Sequence, residues 1–174
     1  MVPKFAQFSQ LISVEYKEAS KAAFITMSNP KKRNTLSSAA MNDLRAALSQ
    51  VEKSVNEKKT KVNSSNIKIV FLKGEGPVFS SGHDLKELQA SKNPKEIFDL
   101  CSAMMLQVRN FPAPTVAVVN GIAAAAGFQL SMACDMVLAT KKSTFSCPGI
   151  KWGLFCSTPG VELIRSISSQ KKAN

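Results

Sequence analysis

The chain has 174 residues, 44% of them hydrophobic, enough to bury a substantial core in one domain or slightly more. Lysine and arginine number 23 against 12 aspartate and glutamate, and a net charge of +11 points to an anionic partner such as a phosphorylated cofactor, a membrane surface or nucleic acid. The basic residues are scattered in pairs and triplets, which disfavours nucleic acid, and Cys101, Cys134, Cys147 and Cys156 lack metal-ligand spacing and read as reduced thiols.

The N-terminal stretch MVPKFAQFSQLISVEYKE is acid-poor for fourteen positions but contains no arginine, so residues 1–19 are expected to be an extension and at best a weak targeting segment. Residues 21–27 predict a strand ended by Ser28-Asn29-Pro30, followed by a basic turn through Lys31, Lys32 and Arg33. Leu36, Ala40, Leu44, Ala47, Leu48, Val51 and Val55 recur at helical spacing, which predicts a helix over 37–56 with Ser37 as its N-cap. A polar connection follows over 57–66, then a second strand over 67–72 that runs into a loop at Gly74-Glu75-Gly76-Pro77. Asn93 before Pro94 marks a helix start, with Asn93 as the cap and Ile97, Leu100, Cys101, Met104, Met105 and Val108 as the buried face. Phe111-Pro112-Ala113-Pro114 breaks that helix.

The stretch PTVAVVNGIAAAAGFQLSMACD, Pro114 to Asp135, organises the rest. It reads as a buried strand over 115–119, a turn at Asn120-Gly121, and a small-residue approach to a helix. Side chains this small let backbone come close to whatever lies over it, and the first amides of a helix have no internal partner, so an anion or oxyanion site is expected there. Ser80-Ser81-Gly82-His83-Asp84-Leu85 permits the same close approach. A membrane span over 115–139 is disfavoured by Asn120, Gln129 and Asp135. Residues 136–139 predict a further strand, and 145–160 a loop-rich segment. The alternation of strand and helix predicts an α/β architecture with crossover connections.

Five separate stretches, in order, resemble the crotonase (enoyl-CoA hydratase/isomerase) superfamily: Asn29-Pro30 with Arg33-Asn34-Thr35-Leu36; Gly76 to Leu85; Asn120-Gly121 through Ala126-Gly127; Cys134-Asp135; and Phe145 with Pro148. The resemblance covers about residues 20–165 and implies a crotonase-like (ClpP/crotonase) superhelix of sheet-and-helix turns. Family members carry a further C-terminal helical portion. The chain is expected to be C-terminally truncated before it, with residues 166–174 a polar tail, and the trimer or hexamer of full-length members is not carried over to so short a chain.

The resemblance also implies a site. Backbone amides of His83 and Ala126 would form an oxyanion hole for an acyl-CoA thioester, with Ser81, Gly82, Asp84, Leu85 and Gly127 around the substrate and Lys32 and Arg33 toward the CoA phosphates or adenine. The His83 imidazole, the only one in the chain, is either an acid or base at the site mouth or a conformational or CoA-contacting group. The two family carboxylates that exchange protons with water and substrate fall on Gln129 and Gly149, neither of which can do so. Asp84, Asp135 and Glu162 read instead as a helix cap, a strand anchor and a later-helix residue. No metal and no cofactor beyond the CoA of the substrate is implied. The expected function is an acyl-CoA- or enoyl-CoA-binding protein of fatty acid metabolism with weak or absent hydratase activity. The alternatives are a non-catalytic acyl-CoA binder or regulator, or an RNA-binding protein. The compartment implied is the mitochondrion, with the cytoplasm as alternative.

Overall fold

A computed structural model describes residues 4–7, 10–56, 67–153 and 157–171. The chain opens on an antiparallel meander of β1 (Lys4–Gln7), β2 (Ile12–Lys17) and β3 (Ala22–Met27). Beyond β3 every pairing is parallel. Strands β4 (Ile69–Gly74), β6 (Thr115–Val119) and β8 (Met136–Ala139) extend the meander into a six-stranded sheet of order β1-β2-β3-β4-β6-β8. A second sheet holds β5 (Val78–Ser80), β7 (Ile122–Ala124) and β9 (Thr144–Ser146), also parallel.

Parallel neighbours need a crossover, and here each crossover has the same plan. The chain gives one strand to the large sheet, turns, gives one to the small sheet, and returns through helix. This plan gives β4, β5 and the helices α2 (Leu85–Ala90) and α3 (Pro94–Arg109); then β6, β7 and α4 (Ala126–Ala133); then β8, β9 and α5 (Ser157–Lys171). The first turn is the same in reduced form: between β3 and α1 (Ser38–Asn56), Leu36 makes a single parallel bridge with His83. The expected superhelix of sheet-and-helix turns is therefore observed.

Sequence pattern explains the packing. Ile12, Val14, Ile25, Val70 and Leu72 alternate along their strands onto the face that receives Leu44, Leu48 and Val51 of α1 and Met104 of α3, all of them buried. Ser37 caps α1, its hydroxyl accepting from Ala40 N–H at 3.2 Å. Asp135 anchors the start of β8 to β6: its carboxylate accepts from Thr115 N–H (2.7 Å) and Thr115 Oγ1 (2.9 Å), while its own N–H donates to Thr115 Oγ1 (3.1 Å). Among the described residues no helix is long and apolar enough to cross a membrane.

Several expectations need correction. Ile12–Lys17, expected to lie within an N-terminal extension, form strand β2, which pairs along its whole length with β3 and buries Ile12 and Val14; the period-two alternation of Ile12 to Lys17 carried that signal. Strands β5, β7 and β9 have three residues each, too few for a pattern to show, so none was expected, and β9 reaches into the segment expected to be loop-rich. Residues 145–160 also contain a 3-10 turn, Pro148–Trp152, and the start of α5, which continues past position 165 to Lys171. Asn93 occupies the N-cap position of α3 as expected, but its amide donates to Glu96 Oε1 (2.7 Å) rather than receiving a helix N–H. The polar connection over 57–66 and Cys156 lie outside the described residues.

In the parallel register, Val137 shares the core-facing side with Ala117 and Val119, so Met136 and Leu138 stand on the opposite face of edge strand β8, 52% and 56% exposed. An apolar edge strand with unpaired backbone is a template for aggregation. Replacing both residues together (Met136→Lys, Leu138→Lys) should raise the protein concentration at which light scattering appears, with stability changed by no more than about 0.5 kcal/mol per site. An unchanged scattering threshold would locate the cause elsewhere.

Candidate functional site

The site begins with a buried asparagine. After the 3-10 turn Pro30–Lys32, Arg33 (φ 54°) and Asn34 (φ 49°) both adopt the left-handed conformation, which asparagine tolerates better than most residues. Asn34 is 2% exposed, and every polar atom of its side chain is used. Its Oδ1 accepts from Asn29 N–H (2.9 Å), while Nδ2 donates to the carbonyls of Glu75 (2.9 Å) and Val78 (2.8 Å). Its carbonyl accepts from the Ser80 hydroxyl (2.8 Å), and Ser80 Oγ in turn accepts from Gly82 N–H (3.2 Å). Ser81 N–H donates to Arg33 O (3.1 Å) and Leu36 N–H to Gly82 O (2.8 Å). The loop over 80–84 is thus clamped along one side by the turn over 29–36, which also brings Lys32 and Arg33 beside it.

The other side of that loop meets the approach to α4. Gly82 has φ +88°, and a Cβ built there would lie 3.0 Å from Ala124 O, Ala125 Cβ and Ala126 N alike. At Gly127 a Cβ would lie 2.7 Å from the carbonyl carbon and Cβ of Ser80, with Ser80 O closer still. Both glycines thus serve the approach of one loop to the other. At Gly127, expected beside the substrate, the space a side chain would take is filled by the Ser80 backbone. Ala125 holds the junction in a conformation normally reserved for glycine (φ 50°, ψ −123°), a strain of roughly 1–3 kcal/mol. Its N–H is held by Ser146 O (2.9 Å), and its carbonyl receives Gln129 N–H (3.0 Å).

This geometry orients two amides. Ala126 is the first residue of α4, so its N–H has no carbonyl within the helix. His83 is the bridge partner of Leu36 in a parallel pairing, where residues flanking the partner make the bonds; its own N–H therefore turns away from Leu36. Two backbone donors therefore lie on the two loops that meet at this junction.

Around it, Asp84 caps α2 as expected, accepting from Lys86 N–H (3.1 Å) and Glu87 N–H (3.4 Å), and its other oxygen stands 3.9 Å from Lys32 Nζ. Leu85 is 69% exposed. The His83 ring is part-buried against Phe98 of α3 (centroids 5.1 Å, 59°) rather than standing open at a mouth. Burial lowers its pKa below the ordinary 6.5, with Glu87 opposing, so the imidazole is neutral at pH 7. Gln129 is buried (7% exposed) one helical turn after Ala126, and Gly149 lies half-buried in the 3-10 turn three residues after Ser146. Cys101 and Cys134 are buried free thiols pushed up to about 11 and about 12 by desolvation, which removes them as nucleophiles. Among the described residues no group of three or more His, Cys, Asp or Glu side chains could hold a metal ion. The sequence reading named Asn34 and Ser80 within motifs but gave neither a role, and gave none to Ala125. A buried-type Asn after a Pro-initiated turn was the available signal for the first.

Comparison with known proteins places the fold. The family profile described as enoyl-CoA hydratase/isomerase matches residues 17–174. Enoyl-CoA hydratase domain-containing protein 3, mitochondrial, of Homo sapiens is 47% identical over 146 residues, 82% of this chain and 45% of that protein. The crystal structure of the human domain-containing protein 3 superposes with a TM-score of 0.69 at 42% identity, covering 89% of this chain and 58% of the other. An enoyl-CoA hydratase of Mycobacterium smegmatis gives 0.79 at 36% identity, covering 90% and 58%. The chain spans about half the length of the curated relatives it matches.

Two outcomes follow from this geometry. Gly127→Ala should destabilise the fold by about 2–4 kcal/mol, because a methyl group there meets the Ser80 backbone and neither element can withdraw without opening the junction; a melting temperature equal to that of the unsubstituted chain would refute the packing. The chain's single histidine makes the second outcome easy to read. Its imidazole resonance should titrate below pH 6.5, and stability should fall as pH drops from 6.5 toward the folded-state pKa, since only the unfolded chain readily takes up the proton. A midpoint at or above 6.5 would contradict the burial.

Proposed function

Because the chain belongs to the enoyl-CoA hydratase/isomerase family, we propose that it binds acyl-CoA or enoyl-CoA thioesters of fatty acid metabolism, with the amides of His83 and Ala126 as an oxyanion hole and little or no hydratase activity. The observation that carries this reading is the contact between the two small-residue loops, where the Ala126 nitrogen lies 3.0 Å from the position a Gly82 Cβ would take. A thioester oxygen seated there would receive both N–H groups, and donors of this kind contribute about 2.7–4 kcal/mol each to a developing oxyanion. Lys32 and Arg33, exposed beside the same loop, are suited to the CoA phosphates.

Hydration also requires one group to deprotonate water and another to protonate the α-carbon. Gln129 and Gly149 stand where the family's carboxylates are expected. Asp84 is engaged in the α2 cap, Asp135 in the β6–β8 anchor, and Glu162 with Arg109 and Arg165. The neutral, part-buried His83 imidazole is poorly placed to supply either step. These observations favour a second reading in which the chain is a non-catalytic acyl-CoA binder. The substrate carries the coenzyme, so no separate cofactor or metal is invoked. The names of the animal relatives suggest the mitochondrion. A trimer or hexamer is the assembly the family suggests for longer members.

Calorimetric titration with butyryl-CoA and with free CoA tests binding, and hydration of crotonyl-CoA tests chemistry. The thioester should bind more tightly than CoA. Turnover should fall short of a two-carboxylate relative by at least the 10²- to 10⁴-fold contribution typical of one general acid or base. Ordinary hydratase turnover would overturn the assignment of Gln129 and Gly149. Absence of thioester binding, with RNA bound in a steeply salt-dependent way, would favour the nucleic-acid alternative.

A further inference from the structure

The helices cover one side of the large sheet. Val70, Leu72, Ala117 and Val119 belong to the core on that side, whereas their strand neighbours Phe71, Val116 and Val118 do not. Alternation along the strands turns those neighbours to the other side. The parallel register then lines them up: Phe24, Phe71, Val116 and Met136 form one row, and Thr26, Lys73, Val118 and Leu138 the next. Met136 and Leu138 are more than half exposed at the free edge, and Phe24, Phe71 and Val118 are half-buried. Contiguous apolar rows of this kind on an outer surface mark a place of contact with something else.

Lysines bound the rows. Lys73 stands within the second row, and just beyond Leu138 the chain turns through Lys141 and Lys142, both exposed. That turn is fixed, because Ser143 N–H donates to Thr140 O (2.9 Å) and the Ser143 hydroxyl to Val119 O (2.8 Å), so the two lysines stay at the corner where β6 and β8 end. Lys17 and Lys73 fold their ammonium groups over the Phe24 ring, 5.6 and 5.8 Å from its centroid. Of the carboxylates nearby, Glu15 is paired with Lys17 (3.4 Å) and Asp135 is held by Thr115, while Glu18 and Glu75 follow the ends of β2 and β4.

An apolar centre with a cationic rim calls for a partner that is anionic at its surface and apolar beneath it. Single-stranded nucleic acid needs open aromatic faces for its bases, but Phe24 and Phe71 stack on each other (4.8 Å, 12°) and both lysines lie over Phe24. A second copy of the chain would bring together two molecules of charge +11 through faces edged with lysine. An anionic bilayer meets both demands, with phosphates and carboxylates for the lysines and acyl chains for the apolar edge. We propose that the open face of the large sheet docks on anionic lipid bilayers, with Met136 and Leu138 entering the interface and Lys73, Lys141 and Lys142 meeting the headgroups. No helix among the described residues is long and apolar enough to span, so the contact is a peripheral one. Lys73 exchanges its ring contact for a headgroup, its stem still lying along apolar surface. The inference does not depend on acyl-CoA binding.

Sedimentation of the full chain with vesicles made of equal parts phosphatidylcholine and phosphatidylserine, and with vesicles of phosphatidylcholine alone, tests the proposal. The mixed vesicles should bind the chain, far more tightly than phosphatidylcholine does, and salt should weaken that binding. Replacing the turn lysines together (Lys141→Gln, Lys142→Gln) should weaken it by about fivefold per lysine. Removing the apolar edge at unchanged charge (Met136→Ser, Leu138→Ser) should weaken it by about tenfold. The lysine pair lies in an exposed turn and stands as the test if the serine pair fails to fold. In hydrogen exchange, the β8 amides should gain protection when mixed vesicles are added. Absence of binding to mixed vesicles, unaltered affinity in folded variants of both pairs, or protection that spares β8 would each overturn the proposal. So would displacement from vesicles by butyryl-CoA, which would place the contact at the thioester site, or a single-stranded RNA or a second copy of the chain held by this face while vesicles are not.

Discussion

The structure depends on a single buried amide. Asn34 fills its hydrogen-bonding capacity across three segments, and without it the turn over 29–36, the loop over 75–78 and the loop over 80–84 would have no common point of attachment. A side chain so placed is expensive to leave unpaired, so the three segments are coupled: loosening one exposes the polar groups of the others. The left-handed backbone at Arg33 and Asn34 belongs to the same arrangement, because it aims the amide inward while leaving the neighbouring cations in solvent. The exposed cations and the structural brace thus come from adjacent residues of one turn.

On the opposite side, the junction is maintained by what is absent. Gly127 has no room for a methyl group, Gly82 has little and holds a positive φ besides, and Ala125 tolerates a backbone conformation that glycine would adopt without cost. Strain at Ala125 persists because both of its polar groups are committed, the N–H to Ser146 and the carbonyl to Gln129. A neighbouring sheet therefore stabilises an unfavourable dihedral, and the amide that follows is the first of α4, with no carbonyl inside the helix to receive it. Such over-determined strain beside an unpaired donor is the usual mark of a site that must be rigid before its ligand arrives.

Much of this was legible in the sequence, though unevenly. The helices α1 and α3 announced themselves through apolar spacing, β6 through its β-branched run, and the Asp84 and Asp135 roles through their positions before a helix and a strand. The small sheet was not legible. Its strands are three residues long, and the pairing partners are tens of residues apart, so no local period exists for Val78–Ser80 or Thr144–Ser146. The N-terminal strands were overlooked although Ile12 to Lys17 alternates cleanly, because the acid-poor composition suggested a different class of segment. The small-residue loops pointed correctly to close backbone approach, yet not to what approaches: Gly127 faces Ser80, which only the fold reveals.

The repeating plan of strand, strand, helix has a consequence for how this site can be tuned. The His83 donor belongs to one coil of the spiral and the Ala126 donor to the next, so their separation is the local pitch of that spiral. Pitch is set jointly by the thinness of the residues between the coils and by the packing of α3 and α4 behind them. A core substitution far from either amide, by thickening or slackening one coil, would change the donor spacing without touching a residue at the site. The spacing of these two amides is in that sense a property of the winding, distributed over residues from Asn34 to Ser146, and a chain of this kind can change it by altering its interior while its loops stay the same.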